Sequence, residues 1–214
     1  MASKEVIGRL AKFTSCDIGD ALVKLRYPHG GFLDGIRMRS PGRIVGPAVT
    51  VKMVLSSDAT SPSPPKHFAD CNHPGKIMYI QQPKGLESAC WGGLMSTRAK
   101  FLGANGVVVD GRIRDISEHR EKEFPVFSRD TSILGSNTFT RASEIDVPVQ
   151  FKDDLWVNPG DILVADEDGV VVVPPSLTEQ VIDLCQERFE IDEKTLAALA
   201  DGVPMGEALK KFRK

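Results

Sequence analysis

Apolar positions recur at helical spacing near the start of the chain. Val6, Ile7 and Leu10, then Ala21, Leu22 and Leu25, predict two short helices within residues 1–26, with Asp17 placed to cap the second. A turn-rich stretch, YPHGGFLDG, separates them from GRIVGPAVTVKMVL. There Val49, Val51, Met53 and Leu55 alternate with Thr50 and Lys52, the pattern of a half-buried strand. Residues 56–75 lose all periodicity around Pro62, Pro64, Pro65 and Pro74, which predicts an exposed loop or insertion. An α/β pattern follows: strand KIMYIQQ, a helix from Glu87 to Leu102, strand GVVVD at 106–110 and a helical turn from Asp115. DILVAD and GVVVVP read as paired strands about an Asp168–Gly169 turn. Behind Pro174 and Pro175, Ser176 and Glu179 have capping-box spacing and open a helix carrying Val181, Leu184, Cys185 and Phe189. A last helix, MGEALKKF, offers a face to a neighbouring subunit. These elements predict one α/β domain over 1–214, with 176–214 as a C-terminal helical extension.

Composition narrows the possible roles. At 214 residues the chain can bury a core without covalent staples. Cys16, Cys71, Cys90 and Cys185 are far apart and form no C-x-x-C pair, which suits a reducing compartment. A net charge of -2 with both signs interspersed gives no basic stripe for nucleic acid. No stretch approaches the ~18 apolar residues of a membrane span. The expectation is a cytoplasmic protein whose partner is a small molecule or another protein. His67, Asp70, Cys71 and His73 lie in the Pro-rich segment without the spacing of a tetrahedral zinc site. Trp91 and Trp156 read as packing or interface residues, and Asp161, Asp166 and Asp168 as turn residues.

Candidate chemistry concentrates in SACWGGLMSTRAKFLGANGVVVDGRIRDISEHR, where a helix feeds a strand whose far end carries Asp110, Arg112, Arg114 and Asp115. Ligands of open α/β sheets gather beyond the carboxyl ends of strands. Gly92 and Gly93 stand near the helix start, where free N–H groups favour an anion; close packing of helix on sheet would also explain them. Arg114 offers a planar donor fork for a carboxylate or an enolate oxygen, and Asp115 a hard ligand for magnesium or manganese. Glu118 shares a helical face with Asp115, so one carboxylate could bind a metal directly and the other through water, with His119 at i+4 facing solvent. The competing reading makes D-I-S-E a capping box, with Asp115 as N-cap and Glu118 as its partner.

The spacing G-x20-R-D-x2-E, here Gly93, Arg114, Asp115 and Glu118, resembles the signature of the RraA-like family. That family joins 4-hydroxy-4-methyl-2-oxoglutarate aldolases, which also decarboxylate oxaloacetate, to a bacterial regulator of ribonuclease E. CDIGDAL, GPAVTV at 46–51, the block at 85–127 ending FPVF, and PGDILVADEDGVVVVP at 159–174 also look like family blocks. The resemblance implies a swivelling β/β/α domain like the phosphohistidine domain, with N- and C-terminal helices, assembled as a homotrimer or hexamer with sites between subunits. It implies that the backbone of Gly92, Gly93, Leu94 and Met95 holds the carboxylate of a small 2-oxo acid, that Arg114 binds the substrate, and that Asp115 ligates Mg2+ or Mn2+. Thr97 stands where a phosphohistidine domain carries its histidine, and a hydroxyl cannot replace an imidazole nucleophile, so a phosphocarrier role is not expected. The implied activity is metal-dependent aldol cleavage and oxaloacetate decarboxylation. The alternative is a non-catalytic regulator with a vestigial pocket.

Overall fold

The computed structural model describes residues 3–213. Two helices open it, α1 (Lys4–Leu10) and α2 (Ser15–Lys24). The capping residue of α2 is Thr14, not Asp17. Asp17 is the third helical residue, and its carboxylate returns to the Thr14 backbone to close a capping box.

Strands β1 (Arg37–Ser40), β2 (Ile44–Leu55), β3 (Ile77–Gln81), β4 (Ala89–Trp91), β5 (Gly106–Ile113), β6 (Val126–Thr131), β7 (Thr140–Ile145), β10 (Ile162–Ala165) and β11 (Val170–Val173) form one curled sheet. Its order is β1-β6-β5-β3-β2-β10-β11, with β4 beside β5 and β7 beside β2. A separate hairpin, β8 (Val149–Lys152) with β9 (Leu155–Val157), covers one face. Strands β2 to β6 around the centre run parallel, whereas β10 and β11 are antiparallel.

The central strands are buried on both sides because alternate side chains enter different cores. Ile77, Tyr79 and Val108 pack with Phe151, Leu155 and Val157 of the hairpin, while Met78, Ile80, Val107 and Val109 face Trp91, Ala99 and Phe124. At the other end of the sheet, Ile162, Val164, Val171 and Val173 meet Leu10, Ile18, Leu22, Val181 and Cys185 of the terminal helices.

β2 departs from simple half-burial. Thr50 is fully buried and donates its hydroxyl to the Val147 carbonyl at 2.6 Å, whereas Leu55 is half exposed. The strand also changes partners: Ile44–Pro47 pair with β10, Ala48–Lys52 with β3, and Val51–Leu55 with β7. Pro47, which has no N–H to donate, sits where the first partnership ends.

Segment 56–75 is a loop, as expected, but it is anchored. Arg141 donates to the carbonyls of Asp58, Ser61 and Pro62, and Phe68, Ala69 and Asn72 are buried.

The helix expected from Glu87 begins later. Ala89–Trp91 pair with β5 as β4, extended Gly92 ends the strand, and α3 runs over Gly93–Phe101. A short α4 (Ile116–Glu121) follows β5. The long α5 (Thr178–Ala200) starts after Leu177 with no side-chain cap, so the Ser176–Glu179 box does not form; Glu179 pairs instead with Arg9 at 2.8 Å. α6 (Met205–Phe212) lies on α5, with Ala208 buried and Arg213 bonded to Asp192 at 2.6 Å. Among the described residues no helix is long and apolar enough to cross a membrane, and all four cysteines are free.

Candidate active site

Two carboxyl-end junctions meet at one point. β4 delivers Trp91 and then Gly92, the N-cap of α3, while β5 delivers Arg114 and then Asp115, the N-cap of α4. The Arg114 amide donates to the Trp91 carbonyl at 3.0 Å and ties the junctions together.

Asp115 adopts the left-handed conformation, φ 62° and ψ 45°, which aspartate tolerates better than most residues. Its side chain does not cap its own helix. It crosses to the other junction, where Oδ2 accepts the Gly93 amide at 2.9 Å and lies 3.5 Å from Arg114 Nε. The capping-box reading of D-I-S-E is therefore corrected, because the left-handed turn aims the carboxylate at α3. The anion at the start of α3 is supplied by the protein itself. Met95 donates to the Gly92 carbonyl, so among the described residues Leu94, at the second helical position, keeps an N–H without a partner.

The paired glycines have a steric cause. A side chain on Gly92 would come within 2.6 Å of Asp115 Oδ2, and one on Gly93 would overlap the Glu118 carboxylate. Both acids thus converge on one dipeptide. Glu118 is half exposed and lies 3.3 Å from Lys122 Nζ. Among the described residues no group of three or more His, Cys, Asp or Glu is arranged to hold a metal ion, so any cation here would take one or two protein carboxylates and complete its shell with water or ligand. That donor set fits a hard divalent ion, and Asp115 Oδ1 has no hydrogen-bond partner among the described residues.

His119 is fully buried, contrary to the expectation that it faces solvent. Its Nε2 lies 2.7 Å from the Arg114 carbonyl, which can only accept, so Nε2 carries the proton. Nδ1 then accepts from the Ser96 hydroxyl at 3.0 Å, and Ser96 Oγ accepts from Trp91 Nε1 at 2.8 Å. Burial lowers the His119 pKa from 6.5, against the opposing pull of the Arg114 carbonyl and the charges of Asp115 and Glu118. This neutral chain fastens the backbone of Arg114 to α3.

A cavity of about 80 Å³ opens beside these groups, walled by Trp91, Gly92, Met95, Arg114, Asp115 and Ser136. Its size suits a compact ligand. Glu118 stands outside the wall, across Gly93. The Gly135–Ser136 wall lies well past the Arg–Asp pair in sequence, and no local pattern marked it.

Residues 15–172 match the model of the RraA-like family, described as Aldolase/RraA. The chain belongs to that family. A Halalkalibacterium halodurans relative, provisionally named 4-hydroxy-4-methyl-2-oxoglutarate aldolase, is 35% identical over 161 residues, spanning 75% of this chain and 74% of its own. A solved structure of an uncharacterized Pseudomonas syringae protein superposes with a TM-score of 0.84 at 26% identity, covering 96% of this chain and 97% of that one. The structure of a Streptomyces coelicolor protein, described as an unusual member of the RNase ES inhibitor RraA family, gives 0.80 at 26% identity over 90% and 97%. The RraA-like fold is thus the swivelling α/β arrangement with terminal helices that the resemblance implied. The family match stops before α5, yet the Pseudomonas syringae structure covers nearly the whole chain, so the helical extension has a structural counterpart there.

Other singled-out residues have local tasks in this RraA-like chain. Thr97 donates its hydroxyl to the Gly93 carbonyl at 2.9 Å. His67 accepts the Ala69 amide, and Asp70 pairs with Arg98 at 2.6 Å. Asp161 closes a turn by accepting from Asn158, whereas Asp166 accepts from the backbone and hydroxyl of Ser15 and so anchors the start of α2. Trp91 is core, and Trp156 is partly exposed on β9.

Proposed function

We propose that the chain is a divalent-metal-dependent carbon–carbon lyase acting on small 2-oxo acids. It would cleave 4-hydroxy-4-methyl-2-oxoglutarate by a retro-aldol reaction that yields pyruvate, and would decarboxylate oxaloacetate. The carrying observation is the juxtaposition, at one small cavity, of the Arg114 guanidinium, the Asp115 carboxylate and the start of α3. The names of the aldolase relatives support the same reading.

Asp115, with Glu118 through water, would hold Mg2+ or Mn2+. Bound there, the ion would act as a Lewis acid on the 2-oxo acid. The Leu94 N–H and the positive end of α3 would orient the substrate carboxylate, with Gly92, Gly93 and Met95 forming the floor beneath it. In the aldol reaction the C4 hydroxyl loses its proton, the C3–C4 bond breaks, and its electron pair flows to the 2-oxo oxygen to give pyruvate enolate, which is then protonated at C3. Oxaloacetate reaches the same enolate by losing carbon dioxide. Arg114 faces the oxygen on which charge develops, where a fixed donor fork lowers the barrier. His119 does not serve as the base, because Nε2 carries its proton and Nδ1 is filled by Ser96. No lysine lines the cavity among the described residues, which favours this route over a Schiff base.

The deciding assay is pyruvate release from both substrates with Mg2+ or Mn2+, measured against protein-free metal and after exhaustive chelation. Turnover should require the ion, and Arg114→Lys should lower it by about two to three powers of ten, as for loss of an oxyanion donor. Full turnover after chelation removes the metal from the mechanism. The likeness to the Streptomyces coelicolor structure supports the second reading, a regulatory binding protein. Absence of turnover on either substrate in a folded, metal-loaded protein would favour it.

A further inference from the structure

The Arg114 cavity, of about 80 Å³, suits the oxo-acid end that becomes pyruvate and leaves the rest of a 4-hydroxy-2-oxo acid to lie outside it. A larger cleft, of about 600 Å³, adjoins it, and Ser136 lines both. The partition is held in place. The Phe139 and Thr140 amides donate to the Ser136 carbonyl at 3.0 and 2.9 Å, and the Ala89 amide donates to the Leu134 carbonyl at 2.9 Å, which ties the 132–139 loop to β4. Gly135 lets this loop approach Arg114 closely, since an added Cβ would stand 2.9 Å from Nη1 of the guanidinium. The ring of Trp91, in the wall of the small cavity, lies 6.3 Å from that of Phe68, in the wall of the cleft.

Residues 63–68 of the proline-rich segment line the cleft together with Met53 of β2 and Ala142 of β7. The basic side chains in this lining are already engaged. Arg141 donates to the carbonyls of Asp58, Ser61 and Pro62, and Lys66 Nζ donates to the Asp70 carbonyl at 3.2 Å. His67 stacks on Phe68 at 4.7 Å between ring centroids and accepts the Ala69 amide. These contacts close the segment on itself and on β7 rather than leaving charge for a ligand. What remains to meet an occupant is hydrocarbon: Pro64, Pro65 and Ala142, over the largely buried Met53 and Phe68.

We propose that this cleft holds the substituent on C4 of the substrate, so that the chain accepts 4-hydroxy-2-oxo acids whose leaving half carries an apolar tail longer than methyl. The oxo-acid end stays beside Arg114, the tail passes Ser136, and after C3–C4 cleavage the tail departs on the longer 2-oxo acid while the other half leaves as pyruvate. The proposal rests on the lyase reading for its chemistry, but binding of the tail can be measured without turnover.

N-alkyl oxamates are inert probes that present the oxo-acid end with a tail where C4 would be. Calorimetric titration of the protein in Mn2+ with N-methyl, N-propyl and N-pentyl oxamate should show affinity rising by about threefold per methylene, as for hydrocarbon leaving water. For 4-hydroxy-2-oxoglutarates bearing methyl, propyl or pentyl on C4, kcat/KM for pyruvate release should climb in parallel. Asn137→Trp, which fills the cleft, and Pro65→Glu, which charges its wall, stand at exposed positions and should flatten both series. A flat or falling oxamate series in the wild type overturns the proposal, as does a rise that both variants keep or a lack of binding by every oxamate at millimolar concentration. Turnover of the methyl substrate beside a flat series would remove the cleft and leave the lyase reading standing. Rising oxamate affinity without turnover would keep the cleft as the tail site and remove the lyase reading.

Discussion

Asp115 shows how one backbone angle decides a side chain's task. Were it a helix cap in the ordinary extended conformation, its carboxylate would turn back on α4; at φ 62° it reaches Gly93 instead. Asparagine tolerates the left-handed region and keeps an oxygen for the Gly93 amide. Asp115→Asn should therefore shift stability by less than about 1 kcal/mol while turnover and manganese affinity collapse. Thermal melts, steady-state assays and calorimetry on the same preparation check it, and near-wild-type turnover would remove the ligand role. His119 makes a prediction of opposite kind. Its folded pKa lies below the unfolded value of 6.5, so the unfolded chain binds the extra proton first as the medium acidifies. The stability associated with the neutral ring is complete above pH 6.5 and is lost as pH falls through the depressed folded value. Urea midpoints between pH 8 and 5 should decline, and His119→Gln should flatten the decline. Asp110 and Asp161, which burial raises above their ordinary 3.8, take up protons first in the folded chain and oppose this decline, so the difference between wild type and His119→Gln isolates the histidine's share. The identity of Arg114 and Asp115 as partners was legible in the sequence. The burial of His119 was not, since its hydrogen-bond partners are Ser96 on another helix and a main-chain carbonyl, and neither leaves a periodic signal.

At the scale of elements, periodicity served well where one face is buried and failed where local signals competed. The paired strands β10 and β11 and the helix α6 follow the pattern that predicted them. The boundary of α3 moved because Ala89, Cys90 and Trp91 find a strand partner in β5, a long-range gain that helical spacing over 87–102 cannot reveal. Likewise Glu179 abandons its capping box for Arg9, which lies at the far end of the chain. The approach of α4 to α3 is close enough to test by volume. Gly93→Ala places a methyl group in the space of the Glu118 carboxylate, so it should lower the melting temperature and displace that acid from the site. Adding Glu118→Ala should restore the melting temperature, helped by about 0.5–1 kcal/mol of helix preference for alanine over glycine. Turnover should stay low in the double variant if Glu118 supports the cation. Recovery of full turnover there would show that the acid only packs.

For the molecule as a whole, the sequence announced the fold class but not the way its sheet curls. Leu94, 85% exposed, lines the Arg114 cavity, and Ile133, two residues before its Gly135 wall in sequence, is 93% exposed; apolar side chains this open commonly meet another protein. We expect a trimer or hexamer in solution. Light scattering should report three or six copies for the wild type and a smaller species for Ile133→Asp; an active monomeric wild type would contradict it. The changing partners of β2 reach further, into how the chain acquires its shape. Val45 pairs with Val164 while Val51 pairs with Ile80 and Ile145, so one strand must wait for segments made early, midway and late. Contacts so distant along the chain close slowly. During synthesis the first half of β2 stays an open edge until β10 emerges, which makes the nascent protein dependent on protection from aggregation through most of its translation.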